Sequence, residues 1–329
     1  MRMDNGLLFK ILSNRVYFLI ALMIVVVVVM SLLSPFFLTV SNLLGMTRFG
    51  AILALLALGQ TLVILAGNGG IDLSVGAMVS LAGVIFGLLV TQYGVNVWVA
   101  TFLIVFVGAG LGAINGFIIS FVGVPPLIGT LGMQWAYGAI ALVLTSGRPL
   151  SGFPADFGFI GAGRILEIPA MIVLFVVPVF LILQFMLIRT VLGRWITLIG
   201  VNDRAARFSG IPVIRTRFLL YTLNGVLAAL GAIIMSSWLM SARPDAGMGL
   251  ELQSITVSVL GGTSIFGGVA SLPGTLLAVL IVTMVASGLQ LANINAVWQL
   301  AVLGFILLLA VALNQWVVQR VARRQGLRV

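Results

Sequence analysis

The sequence predicts an all-α polytopic membrane protein of about ten transmembrane helices, and three observations carry that expectation. Charged residues make up only 7% of the 329 positions and hydrophobic ones 61%, whereas a water-facing domain carries about 25% charge. The apolar residues arrive in blocks close to one bilayer crossing, about 20 residues at 1.5 Å rise each. Runs such as Leu19 to Met30 and Leu300 to Leu313 are apolar on every face, unlike the alternating strands of a membrane barrel. Helices then remain to satisfy the backbone within hydrocarbon.

Taken in order, spans are expected at about Val16 to Leu33, Leu43 to Ala66, Asp72 to Val90, Val95 to Val122 and Leu127 to Thr145. Five more are expected at about Ile168 to Ile188, Phe218 to Met240, Leu252 to Phe266, Leu272 to Leu291 and Ala296 to Val318. The start, with Arg2, Asp4, Lys10 and Arg15, lacks a small-residue cleavage site, so the first span is expected to be retained. An even count puts both termini on one side. Most of the 17 basic residues fall there too, in the N-terminal tail, in the 189–217 segment (Arg189, Arg194, Arg204, Arg207, Arg215, Arg217) and in the tail from Arg320 to Arg328. By the positive-inside rule that side is expected to be the cytoplasm. The net charge of +10 is thereby explained without nucleic acid. Arg48 lies near the outer end of span two, where its stem can snorkel to the headgroups.

Two glycine clusters interrupt the helical pattern. Gly67-Asn68-Gly69-Gly70, followed by Gly76, separates spans two and three; Gly261-Gly262 and Gly267-Gly268 break the region of span eight. Glycine disfavours a helix interior, and freed backbone survives in a membrane only inside protein or beside water. Such breaks either mark a transport path or allow close helix packing through small residues. Val63 to Gly76 is loosely echoed by Val259 to Gly274, which suggests a repeat of two halves.

Composition also excludes chemistry. With no cysteine and no histidine, the chain has no disulfide, thiolate, imidazole base or imidazole metal ligand. Lys10 is the sole lysine and no Gly-x-x-x-x-Gly-Lys-Ser/Thr occurs, so a phosphate-cradling ATPase loop is absent.

Polar residues inside spans are the candidates for contact with a solute. Asp72 is an intramembrane carboxylate, a functional residue by default; with Ser74 it can instead cap span three. Asn68, Gln60, Asn115, Gln134, Asn224 and Gln253 offer donors and acceptors suited to hydroxyls, and Trp135 can stack on an apolar sugar face. Interhelical hydrogen bonding is the alternative for each. Outside the spans, Arg243 and Asp245 read as loop charges and Glu251 as a cap for span eight. In the 189–217 segment Asn202 or Asp203 is a good N-cap, Arg204 to Phe208 reads as a short helix, and Gly210 with Pro212 ends it. That segment either orients the chain or docks into a partner.

Three stretches, Gly-Ile-Asp-Leu-Ser-Val-Gly at 70–76, Gly200 to Ile211, and Ala246 to Gly268, closely resemble the permeases of ribose-type ATP-binding-cassette importers, which also serve xylose, rhamnose and autoinducer-2. The resemblance implies a single permease domain over 1–329 that moves a monosaccharide or similar small polar solute inward by alternating access. It implies a second permease subunit, identical or paralogous, an external solute-binding protein, and a cytoplasmic ATPase that binds the ATP and Mg, leaving no cofactor on this chain. It assigns Asn202, Asp203, Arg204, Ala205, Ala206, Arg207, Phe208, Ser209 and Gly210 to a coupling helix within the 189–217 cytoplasmic loop. The sequence departs from many relatives after Gly268, at Val269 to Gly274. A branched-chain amino-acid permease, or a secondary transporter working alone, is the alternative expectation.

Overall fold

The computed structural model describes residues 15–295 and, past them, 298, 301, 302, 304, 305 and 308. The tenth span, expected at about 296–318, lies almost wholly outside the described residues, as do the tails with Arg2, Lys10 and Arg320 to Arg328. The helices are α1 (Arg15–Leu33), α2 (Val40–Leu65), α3 (Val75–Thr91), α4 (Val97–Phe117), α5 (Pro126–Thr145), α6 (Gly158–Ala162), α7 (Val177–Arg189), α8 (Val191–Val201), α9 (Asp203–Phe208), α10 (Val213–Leu239), α11 (Leu250–Gly261) and α12 (Leu272–Leu291). Single π turns extend α4 over Ile118–Val122 and precede α7 over Ile172–Val176. Short strands β1 (Leu150–Ser151) and β4 (Ser241–Ala242) pair antiparallel, as do β2 (Arg164–Ile165) and β3 (Ile168–Pro169). The chain is an all-α polytopic membrane protein.

Local chemistry sets the helix ends. Asn96 Oδ1 accepts the Trp98 N–H at 2.9 Å and so caps α4; Thr39 caps α2, Thr190 α8 and Ser271 α12 in the same way. Pro126 opens α5, where its missing N–H removes no helical bond.

Burial separates centre from periphery. In α2 every residue from Ala51 to Leu65 is buried, and 83% of its span lies inside the protein against 11% for the α7 span. The hydrophobic effect does not drive helices together in lipid, so close packing must. Gly108, Gly112 and Gly116, one turn apart on α4, meet Gly225, Tyr221 and Phe218 of α10 so closely that a Cβ on Gly112 would overlap the Tyr221 carbonyl.

Among the described residues seven helices are long and apolar enough to cross a membrane, counting the π turns into α4 and α7. Two expected spans are shorter: α3 begins at Val75 rather than Asp72, and span eight is the 12-residue α11, ending at Gly261 rather than Phe266. The glycines explain the truncation, since Gly249 adopts φ 83° and Gly262 φ 121° at the two ends of α11. The seventh span, α10, starts five residues earlier than expected, at Val213 directly after Pro212. The segment 189–217 is therefore no open loop; it holds α8, α9 and the first turn of α10.

Contacts give the helix directions. Asn42 and Ser287 share a hydrogen bond of 2.7 Å at one end of the bundle, while Thr61 and Thr275 bond at 3.0 Å towards the other. The start of α1, the end of α2 and the 189–217 segment share that second end.

Candidate functional site

The break after α2 is built from three successive left-handed residues, Gly67, Asn68 and Gly69, at φ 68°, 56° and 66°. Glycine and asparagine tolerate that region where other residues are strained. The reversal turns the chain back into the protein and buries Asp72 completely. Its Oδ1 accepts the Ser74 N–H at 2.9 Å and the Ser74 hydroxyl at 2.7 Å, and its Oδ2 accepts the Asn224 amide at 3.0 Å. Asn115 donates to Ser74 Oγ at 2.7 Å. The Tyr137 hydroxyl lies between Asn115 Oδ1 (3.1 Å) and the Leu111 carbonyl (2.8 Å), able to donate to either. Gln60 faces both backbone groups of Asp72, and with its amide nitrogen turned towards the Asp72 carbonyl (3.2 Å) and its oxygen towards the Asp72 N–H (3.0 Å) both are satisfied. The Asp72 carboxylate thus joins the start of α3 to α10, Ser74 adds α4 through Asn115, the Asp72 backbone faces Gln60 of α2, and α5 joins through Tyr137.

This geometry divides the polar candidates into two sets. Gln60, Asp72, Ser74, Asn115 and Asn224 are all buried and bonded to one another, in a hub closed to solvent in this conformation. Ser74 stands at the N-cap of α3 but makes no side-chain cap bond; Asp72 instead holds the Ser74 N–H. Gln134, Trp135 and Gln253 lie away from the hub. Trp135 is exposed, Gln253 is half-buried, and Gln134 donates to Glu251 Oε1 at 3.3 Å. The Glu251 carboxylate also accepts the N–H of Gly249, the N-cap of α11, at 3.2 Å, and packs directly over Gly76, where a Cβ would collide with it. Asn68 is exposed at the break. On the loop between α10 and α11 Arg243 and Asp245 pair with each other at 3.0 Å while half-exposed, and that guanidinium holds the Asp245 carboxyl below the usual range.

The second feature is α9 and its anchorage. Asn202 Oδ1 accepts the Ala205 N–H at 3.0 Å, making Asn202 the N-cap, and Gly210 follows the helix at φ 77°. Ala206 is buried in a small cluster with Ile199 and Val213. Arg204, Ala205, Arg207, Ser209 and Gly210 are exposed, and Phe208 is 93% exposed. Asp203 bonds Arg207 at 3.3 Å and Arg217 at 3.5 Å. Arg217, only 8% exposed, also approaches the Ala66 carbonyl at the C-terminus of α2, at 3.4 Å.

Sequence reasoning missed Gly200, at the end of α8. A Cβ there would overlap the Leu65 carbonyl and the Gly268 nitrogen, and Gly267 meets Gly67 just as closely. The Gly268 N–H donates to Leu65 O at 3.0 Å. Both glycine breaks and the turn leading into α9 therefore meet at one junction. The available signal was a glycine two residues before a helix cap, which acquires meaning only when the partner backbones are in place.

Fold and site define a polytopic membrane protein with a sealed polar hub beside a helix-bearing elbow at one end of the bundle. The model of the family described as the branched-chain amino acid transport system / permease component matches residues 42–311, and the chain belongs to that family. It is 39% identical over 300 residues to the ribose import permease protein RbsC of Escherichia coli (strain K12), covering 90% of this chain and 92% of the relative. It is 40% identical over 294 residues to the RbsC of Bacillus subtilis (strain 168), covering 88% and 90%. The autoinducer 2 import system permease protein LsrD of Photorhabdus laumondii is 36% identical over 299 residues, 89% of each chain. No solved structure matches.

Proposed function

We propose that this chain is the membrane-spanning subunit of an ATP-binding-cassette importer that carries a monosaccharide or similar small hydroxylated solute into the cytoplasm. The family description names branched-chain amino acids, yet relatives at 36 to 40% identity are named for ribose and autoinducer 2 import. That favours polar cargo.

The observation that carries the mechanism is the anchorage of α9. An exposed, capped six-residue helix with an aromatic tip suits docking into a groove of a cytoplasmic ATPase, which would bind ATP and Mg. Its Asp203 is bonded to the buried Arg217, which reaches the end of α2, and the Gly200 junction locks the elbow to both helix breaks. Movement of α9 would thus reach the break that carries Asp72 without a flexible linker to absorb it. We assign the hub to fixing helix geometry and the open set, Gln134, Trp135 and Gln253 with Asn68 nearer the inner end, to the cargo route. A polar face at mid-membrane is unfavourable against lipid, so this face would meet the second permease subunit. A solute-binding protein would deliver cargo to the end bearing the short β-strands. The chain would sit in the inner membrane with both termini cytoplasmic.

Replacing Arg204 to Phe208 by a Gly/Ser linker is expected to abolish both transport and cargo-stimulated ATP hydrolysis in the assembled complex; coupling that survives the replacement refutes the assignment. Uptake by the lone chain, driven by an ion gradient with no ATPase present, would instead support the secondary transporter.

A further inference from the structure

A cavity beside α9 shares Asn68, Arg207 and Arg217 with the elements of the mechanism above, which gives it no occupant. It encloses about 290 Å³ between the glycine break, the turn at 123–126 that joins α4 to α5, and the start of α10. Its polar lining comes from Asn68, Ser120, Arg207 and Arg217, with no acidic residue among those that line it. Among the described residues the only carboxylate paired with either guanidinium is that of Asp203, which serves both. One of the two positive charges is thus left without a counter-ion of its own among the described residues, and Arg217, which shares that carboxylate at 3.5 Å, is nine-tenths buried, where a cation without a full partner is unfavourable. The Ser120 hydroxyl oxygen is buried with no hydrogen-bond partner. A narrower pocket shares Ile119, Pro126 and Arg217 with the cavity and continues to Tyr221, a buried side chain whose hydroxyl is likewise unpartnered.

We propose that this cavity binds a phosphate-bearing anion. Guanidinium groups bind phosphate oxygens through paired, charge-assisted hydrogen bonds; here Ser120 and Asn68 add neutral donors, and the ligand's charge neutralises the surplus. A neutral hydroxylated solute would use the same donors but leave that charge uncompensated. The occupant competes with Asp203 for Arg207 and Arg217. If α9 is the coupling helix, occupancy loosens its bond to the end of α2 and lowers the solute moved per ATP; the binding itself does not rest on that reading.

The test uses the full chain alone in phosphatidylcholine nanodiscs, where no ATPase contributes a phosphate site. Equilibrium dialysis with labelled inorganic phosphate at constant ionic strength is expected to show saturable binding of one phosphate per chain. Arg207→Gln, a change at an exposed side chain, is expected to weaken it about tenfold through loss of a charge-assisted bond, and Ser120→Ala about threefold through loss of a neutral one. In a second arm, nanodiscs containing phosphatidylglycerol are compared by native mass spectrometry. Retention of that lipid by the wild type but not by Arg207→Gln, without free-phosphate binding, assigns the site to a lipid headgroup. Failure to bind either probe, binding indifferent to Arg207→Gln, or displacement of phosphate by ribose at equal concentration overturns the proposal. The Gly/Ser linker experiment reads ATP hydrolysis and stands or falls independently of these outcomes.

Discussion

At Asp72 the carboxylate accepts from the Ser74 N–H, the Ser74 hydroxyl and the Asn224 amide, all buried. Asp72→Ala strands these donors, at about 1–3 kcal/mol for each buried group left unpaired, and is expected to lower the melting temperature in detergent sharply. Asp72→Asn is expected to be milder. Asn224 Oδ1 has no partner, so the Asn224 amide can turn over and accept from the new carboxamide. Thermal melts followed by circular dichroism decide this; an Asn variant as unstable as the Ala variant would mean that the hub requires the charge itself. The hub residues were legible in the sequence by type, as polar groups inside apolar spans. What could not be read was the division between Asn115, which faces Ser74 and Tyr137, and Gln134, which faces Glu251. That division depends on how α4 and α5 rotate about their axes, and apolar residues on every face leave the rotation unmarked.

Elements were legible where local chemistry punctuates them. Asn202, Gly210 and Pro212 bracket α9 as expected, since a cap and a left-handed stop act within one turn. The helix α8 was hidden, because Arg194 read as loop charge while Gly193, Ile196 and Ile199 turn inward. The break in span eight was legible in Gly261-Gly262, but what it packs against was hidden, since the close approach of Gly267 to Gly67 joins segments far apart in sequence. Two substitutions separate anchorage from docking. In Gly200→Ala the new methyl overlaps backbone atoms that cannot swing aside, so a loss of about 1–3 kcal/mol or more is expected from overpacking, visible as a lower melting temperature. Asn202→Ala removes only the cap, about 1 kcal/mol, from an exposed helix. It is expected to leave the melt nearly unchanged and to lower cargo-stimulated ATP hydrolysis; the opposite pattern would place the importance of α9 in folding rather than in coupling.

For the whole molecule, composition alone indicated the class, because charge this scarce excludes a water-facing surface. The number of crossings was harder, since α3 and α11 are shorter than a full span and hydropathy does not distinguish a half-helix from a weak whole one. Orientation rests on the arginine distribution and is open to a direct test. The natural sequence has no cysteine, so a single introduced thiol reports its own side. Phe208, 93% exposed, lies at the α9 end, and Leu166, 91% exposed, lies in the β2–β3 turn at the opposite end. In intact spheroplasts a membrane-impermeant maleimide is expected to label Leu166→Cys at once and Phe208→Cys only after permeabilisation. The reverse pattern would place α9 outside the cell, beyond reach of any cytoplasmic ATPase, and the arginines would then need a role other than setting topology. Labelling of both sites without permeabilisation would show instead that the spheroplasts leak, which a cytoplasmic marker enzyme measured in the same sample detects, so the two explanations separate within one experiment.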